Sequence, residues 1–209
     1  MKGTTDLAGL RLLGERLCLN FANTVDPRHG DHPREFLTGY SDLVAWSVRV
    51  GVLDEPAARE LADAADRDPA AAEEVYADAV TLREALYRVF SAVAAGATAP
   101  AGGLATLNEA LADGFAHSRL EPDGDSYRWA WQIDPPALDR MLWPVLRSAM
   151  ELLTSGQLDQ VKECPGLDDC GWLFFDTSKN GSRRWCSMEG CGNRAKGRRH
   201  YQRTRAVPA

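Results

Sequence analysis

No stretch of this chain approaches the roughly 18 consecutive apolar residues that a membrane span requires. Met1 to Leu13 also lacks the apolar run, about 7–15 residues long, of a secretory signal. The expectation is a cytoplasmic protein without a membrane partner. The sequence has no glycine-rich phosphate loop, no nucleophile elbow and no paired-carboxylate motif, so it is not expected to be an enzyme. It has no internal repeat and no low-complexity segment. Cysteine is scarce, five among 209 residues, and four of the five crowd near the C-terminus. In a reducing compartment such clustering points to metal rather than disulfides. Base outweighs acid most strongly near the C-terminus. From Lys179 to Arg205 nine Lys or Arg residues accompany a single acid, Glu189, a local charge of +8 in a chain of net charge −6, which leaves −14 for the remainder. A basic module aimed at a polyanion, attached to an acidic domain, follows from that segregation.

With 44% hydrophobic and 26% charged residues, the chain is long enough for one real core and a small appendage. Residues 1–160 read as mostly helical. Ser41 is placed to cap a short helix with Leu43, Trp46 and Val50 on one face. Pro56, behind Asp54, suits the first turn of a second helix that ends before Asp68-Pro69. Val75, Ala79, Leu82, Leu86, Val89 and Val93 then form one apolar stripe, closed by Gly96 and Pro100. A helix over 103–113 turns Leu104, Leu107 and Leu111 inward. Ser118 to Gln132, interrupted by Pro122-Asp-Gly-Asp, reads as a β-hairpin. Asp134 and Pro135 are expected to start a long helix carrying Leu138, Leu142, Val145, Ala149 and Leu152, kinked at Pro144.

The cysteines form two pairs, Cys164/Cys170 and Cys186/Cys191. Between them lies Gly171-Trp-Leu-Phe-Phe-Asp-Thr-Ser, rich in strand formers. Asn180-Gly181 marks a turn, and Arg183-Arg-Trp-Cys-Ser returns. Pairing these two segments brings the thiol pairs together, as tetrahedral zinc requires. Gly166 and Gly192 permit tight knuckles. The expectation is one structural zinc per chain on Cys164, Cys170, Cys186 and Cys191. The five-residue gap of the first pair leaves open a rival set in which His200 replaces Cys164. Cys18, alone in an apolar run, reads as core.

Beyond Cys191 the chain can be helical, with Arg194, Arg198, Tyr201 and Arg205 on one face and Arg199 and Arg203 beside it. Together with Lys179, Arg183, Arg184 and Lys196 they make a candidate DNA-binding surface, because guanidinium groups suit phosphate and the major-groove edge of guanine. The competing reading is a solvated basic tail, which Gly197 favours slightly. An adaptor binding protein or RNA is the alternative function, with Trp172, Trp185 and Tyr201 as stacking candidates.

The segment from Cys170 through Trp185-Cys-Ser-Met to Cys191-Gly-Asn-Arg-Ala-Lys resembles a CGNR-type zinc finger. Gly14-Glu-Arg-Leu-Cys-Leu-Asn-Phe-Ala-Asn-Thr-Val-Asp is similar to the opening motif of an ABATE-type domain. The resemblance implies a stress-induced transcription regulator whose finger binds DNA. The expected architecture is mostly α with a small β-hairpin: a helical ABATE-like domain over 1–158 and a zinc-binding ββα-like, treble-clef-like module over 159–209.

The acidic domain is expected to act as a sensor or in homodimer formation. Asn23, Thr24 and Arg28, with Trp46 as an aromatic wall, are the candidate contacts for a small-molecule effector. Against this, Asn23 and Thr24 also suit a backbone cap or turn. The surrounding His29, His32, Asp26, Asp31 and Glu35 read as a polar loop rather than a second metal or acid–base site.

Overall fold

Two aspartates with prolines just behind them set the helical frame. A computed structural model describes residues 7–133, 137–166 and 170–205. Asp54 accepts a hydrogen bond from Ala57 N at 2.8 Å and starts α3 (Glu55–Arg67). Asp68 does the same for Ala71 N at 3.0 Å and starts α4 (Pro69–Ala94). In each first turn proline sits where its missing N–H would have had no partner. Gly96, at φ 65°, closes α4 as only a residue tolerant of the left-handed region can. The α4 stripe buries Ala79, Leu82, Leu86 and Val89, with Val75 and Val93 half-buried at its ends.

This 26-residue helix is the axis of the molecule. α1 (Leu17–Ala22), α2 (Tyr40–Arg49) and α5 (Ala101–Ala116) pack on it, and α6 (Leu142–Thr154) packs on α1 and α5. Gly103 lets α5 approach closely, since a Cβ there would lie 3.1 Å from Val89 Cγ2. Phe21 and Trp46 meet at 5.1 Å between ring centroids in the core. Two short strands, β1 (Val25–Asp26) and β2 (Arg34–Glu35), pair antiparallel. The expected hairpin forms as β3 (Ser118–Asp123) and β4 (Ser126–Trp131), turning at Gly124 with φ 59°.

The sequence expectations need correction at four points. α2 is capped at Gly39, not Ser41; Asp42 instead reaches back to accept from the N–H and hydroxyl of Thr38 at 2.9 and 2.6 Å. Leu104 faces solvent, because the burying face of α5 runs through Gly103, Leu107 and Gly114. The helix expected from Asp134 and Pro135, which lie outside the described residues, is α6 and begins only at Leu142. Pro144 therefore stands in a first turn, where it breaks no intrahelical bond, and the expected kink has no cause.

The fourth correction concerns the finger. β6 (Leu173–Phe175) pairs with β5 (Val161–Glu163), in the register Val161↔Phe175 and Glu163↔Leu173, not with the returning segment 183–187. Asn180-Gly181 does turn, with Gly181 at φ 56° and its N–H bonded to Ser178 O, but no strand follows. A single π-helical turn, Met188–Gly192, leads into α7 (Asn193–Arg205). Val161, Trp172, Leu173, Phe174 and Phe175 belong to the same buried cluster as Phe21, Trp46 and Leu86. One hydrophobic core thus runs from the helices into the finger. No described helix is long and apolar enough to cross a membrane.

Candidate metal centre and nucleic-acid interface

Cys164 directly follows β5 and Cys170 precedes β6, so the first pair brackets the tip of the β5–β6 hairpin. Cys164 N donates to Trp172 O at 2.9 Å and Gly171 N to Cys164 O at 3.2 Å, extending the ladder to the metal-binding tip. Gly166 is required there, because a Cβ would fall 2.3 Å from Cys170 Cβ. The second pair lies at the foot of α7, where Ser187 Oγ accepts from Gly190 N at 3.2 Å to shape the turn.

All four thiols are buried and their sulfurs lie within 4.8 Å of one another. Cys170 and Cys186 Sγ are 3.7 Å apart, and Cys186 and Cys191 Sγ are 3.6 Å apart. A zinc–sulfur bond of about 2.3 Å gives a tetrahedron with edges of about 3.8 Å. The donor set fits one zinc ion by number, softness and spacing. His200 lies on the exposed face of α7, outside the four-sulfur group.

The electrostatics point the same way. Hydrogen bonds from the Cys170 and Cys186 thiols hold Cys164 far below the usual thiol range. The same crowding, with burial, pushes Cys170 and Cys186 up. The four sulfurs cannot all ionise so close together in a buried site without a cation between them, and a bound zinc ion would let all four become thiolates. Arg194 supports the site by donating to Cys191 Sγ at 3.2 Å. By contrast, burial pushes the lone Cys18 thiol up to about 12, an inert core residue.

A further set of contacts holds the finger to the helices, and sequence reasoning had assigned its residues elsewhere. Asn23 is buried, with Nδ2 donating to Leu173 O at 2.8 Å and Oδ1 accepting from Leu173 N at 2.9 Å. Its carboxamide acts as a strand partner for β6. Trp172 Nε1 donates to Val25 O at 2.8 Å, and Phe175 N to Gly14 O at 3.0 Å. Arg28 N donates to Cys170 O at 2.9 Å. His29 Nε2 lies 2.6 Å from Glu163 Oε1 and 3.1 Å from the Tyr87 hydroxyl. The only sequence signal for this role was a polar Asn in an apolar run, which leaves its partner unspecified.

Of the other expected effector contacts, Thr24 and Arg28 are engaged within the protein, while Arg28 Nε and Nη2 and Trp46 Nε1 are buried without a hydrogen-bond partner. Thr24 Oγ1 donates to Phe21 O at 2.9 Å. The Arg28 guanidinium pairs with Glu84 at 3.0 Å and stacks 3.8 Å from the Tyr87 ring centroid. Trp46 is fully buried. A different cleft, of about 270 Å³ between α4, α5 and α6, has a floor of Leu82, Leu142 and Leu146 and a rim carrying Asp78, Glu109 and Asp113.

The nine basic residues divide into two groups. Arg183 is half-buried bracing: it donates to the Trp185 and Cys186 carbonyls, pairs with Glu15 at 3.2 Å and lies over the Phe174 ring. Nearby, Asp176 accepts from Lys162 at 2.6 Å and from the N–H groups of Ser178 and Arg183. Burial would raise its carboxyl, but these donors prevail and hold it well below the usual carboxylate range. Lys179 and Arg184 are exposed. Arg194, Lys196, Arg198, Arg199, Arg203 and Arg205 all lie on α7, where Ala195 is the only buried residue. α7 projects from the zinc site with no acid along its length.

A family model described as "Putative stress-induced transcription regulator" (ABATE) matches residues 15–156. A second, the CGNR zinc finger, matches residues 160–204. A search of curated proteins finds no match.

Proposed function

The chain belongs to the ABATE family and ends in a CGNR zinc finger, and from that premise we propose that it is a zinc-dependent transcription regulator that binds duplex DNA through α7. The observation that carries the reading is α7 itself: a helix anchored at one end by two zinc ligands, exposed along its length and bearing six cations and no acid. Zinc acts as a rigid clamp rather than a reagent, since four thiolates leave no open coordination position. Trp172 is 2% exposed and so is withdrawn from base stacking, whereas Tyr201 is exposed on α7.

With about six phosphate contacts, log K for the zinc-loaded protein should fall against log salt with a slope near −5. Replacing Arg198 and Arg199 together with Ala should weaken binding about tenfold or more and flatten that slope by about 2. A salt-insensitive interaction, or unchanged affinity in the double variant, would indicate a protein partner.

The helical part is the sensing half of this proposal. The acid-rimmed, apolar-floored cleft between α4, α5 and α6 suits a small organic cation with an apolar body. α4 touches both β5 and β6, which gives a ligand at that cleft a packed route to the finger. A coupling of about 1–3 kcal/mol would change DNA affinity about 5- to 150-fold. Thermal-shift screening against amines should find a stabilising ligand that also alters DNA affinity. Ligands that stabilise the protein and leave DNA binding unchanged would reduce the helical part to a scaffold.

A further inference from the structure

The acidic part of the chain sends two of its fifteen Lys and Arg residues to the foot of α7. Arg34 on β2 is paired across the ladder with Asp26 on β1. Val25, beside Asp26, accepts the indole N–H of Trp172, so this ladder abuts the zinc hairpin. Arg11 lies over the Trp172 ring at 5.8 Å, and its Nη1 is 2.9 Å from where a Cβ on Gly190 would stand. Gly190 directly precedes the zinc ligand Cys191, and Arg194, in the first turn of α7, reaches back to that ligand's sulfur. Three guanidiniums, all on exposed residues, therefore gather where the basic helix leaves the body. Among the described residues Asp26 faces Arg34 across the ladder, Glu189 directly precedes Gly190 in sequence, and nearby Glu35 is engaged by Arg83 at 2.7 Å. The half-buried Asp26 carboxyl, raised by burial, is pulled down by Arg11, Arg194 and Arg34 together, which places all three within electrostatic reach of one point.

We propose that Arg11 and Arg34 contact DNA phosphates in the same interface as α7, so that both parts of the chain build the DNA-binding surface. A helix lying in the major groove is flanked by two rows of phosphates, and contacts to them fix its register and angle rather than read sequence. α7 is held only at its N-terminal end and needs such flanking contacts to fix its direction. Arg34 stands on the β1–β2 ladder, which abuts the zinc hairpin, and Arg11 stands in the segment before α1, over the Trp172 ring and beside Gly190.

This inference rests on the DNA-binding reading, and its test separates the two. The full zinc-loaded chain carrying both Arg11→Gln and Arg34→Gln is titrated with duplex DNA across a range of salt. The expected result is about tenfold weaker binding and a slope shallower by about 1.8, at 0.9 per lost phosphate contact, with zinc content and melting temperature unchanged. The Arg11→Lys, Arg34→Lys chain should regain the steeper slope. Unchanged affinity and slope in the Gln variant, while the Arg198/Arg199 variant loses binding, would overturn the inference and leave the DNA reading standing. Loss of zinc or a lower melting temperature in the Gln variant, or no recovery with Lys, would overturn it by assigning the two arginines to structural bracing. No duplex binding by the unaltered chain would remove both proposals.

Discussion

A Cys186→Ser chain should purify without its zinc, with α7 unravelled and with no measurable affinity for DNA. Cys186 Sγ lies 3.7 and 3.6 Å from two other ligand sulfurs, so its loss removes one corner of the tetrahedron. A serine hydroxyl is hard and stays protonated, a poor exchange for a thiolate. Zinc in sites of this kind contributes on the order of 10 kcal/mol to folding. α7 depends on it more than any other element, because an isolated helix of this length is marginal in water and only Ala195 is buried. Metal analysis and far-ultraviolet circular dichroism are the measurements. Cys164→Ser should behave likewise, whereas His200→Ala should keep one zinc per chain. Stoichiometric zinc in the Cys186 variant would sink the four-thiolate assignment, and zinc loss from the His200 variant would install the rival ligand set.

The second large effect is expected at Asn23, far from the metal in sequence. Asn23→Leu keeps the branched shape in a larger side chain but leaves Leu173 N and O buried without the Asn23 partner. At about 1–3 kcal/mol for each orphaned group, the chain should lose about 3 kcal/mol or more of stability. Because the lost bonds join α1 to β6, the strand that follows the Cys170 ligand, a chelator should also strip zinc from the variant faster. Melting temperature and the rate of metal transfer to a chromogenic chelator read the two effects. A variant as stable as the parent, releasing zinc at the parental rate but blind to a stabilising ligand, would return Asn23 to an effector site.

The features legible in the sequence were those fixed by near neighbours. Asp54 and Asp68, each with proline just behind, announce helix starts because capping involves only the next three residues. The α4 stripe is a matter of period alone. The four cysteines were legible because thiols crowded into so short a segment are a metal-binding pattern in themselves. The features that escaped depend on distant partners. β5 is three residues long and carries no alternation, so nothing local shows that it, rather than the segment after Asn180-Gly181, pairs with β6. The turn signal there was correct, but a turn does not oblige its flanks to pair. Pro144 misleads because its effect depends on where the helix begins, and that start lies at Leu142. Asn23 resembled a ligand contact because its actual partner, Leu173, is 150 residues away.

The continuity of the core bears on how this finger can be transplanted. Zinc fingers are commonly handled as portable beads, cut from one chain and strung onto another. A fragment starting at residue 159 would carry Trp172, Leu173, Phe174 and Phe175 away from α1 and α4, which cover them, and from the amide and carbonyl partners at Asn23, Val25 and Gly14. It would bind metal yet expose an aromatic face prone to self-association. The smallest transferable unit therefore spans the two ends of the chain, and any recombination that conserves it must carry the opening motif and the finger together.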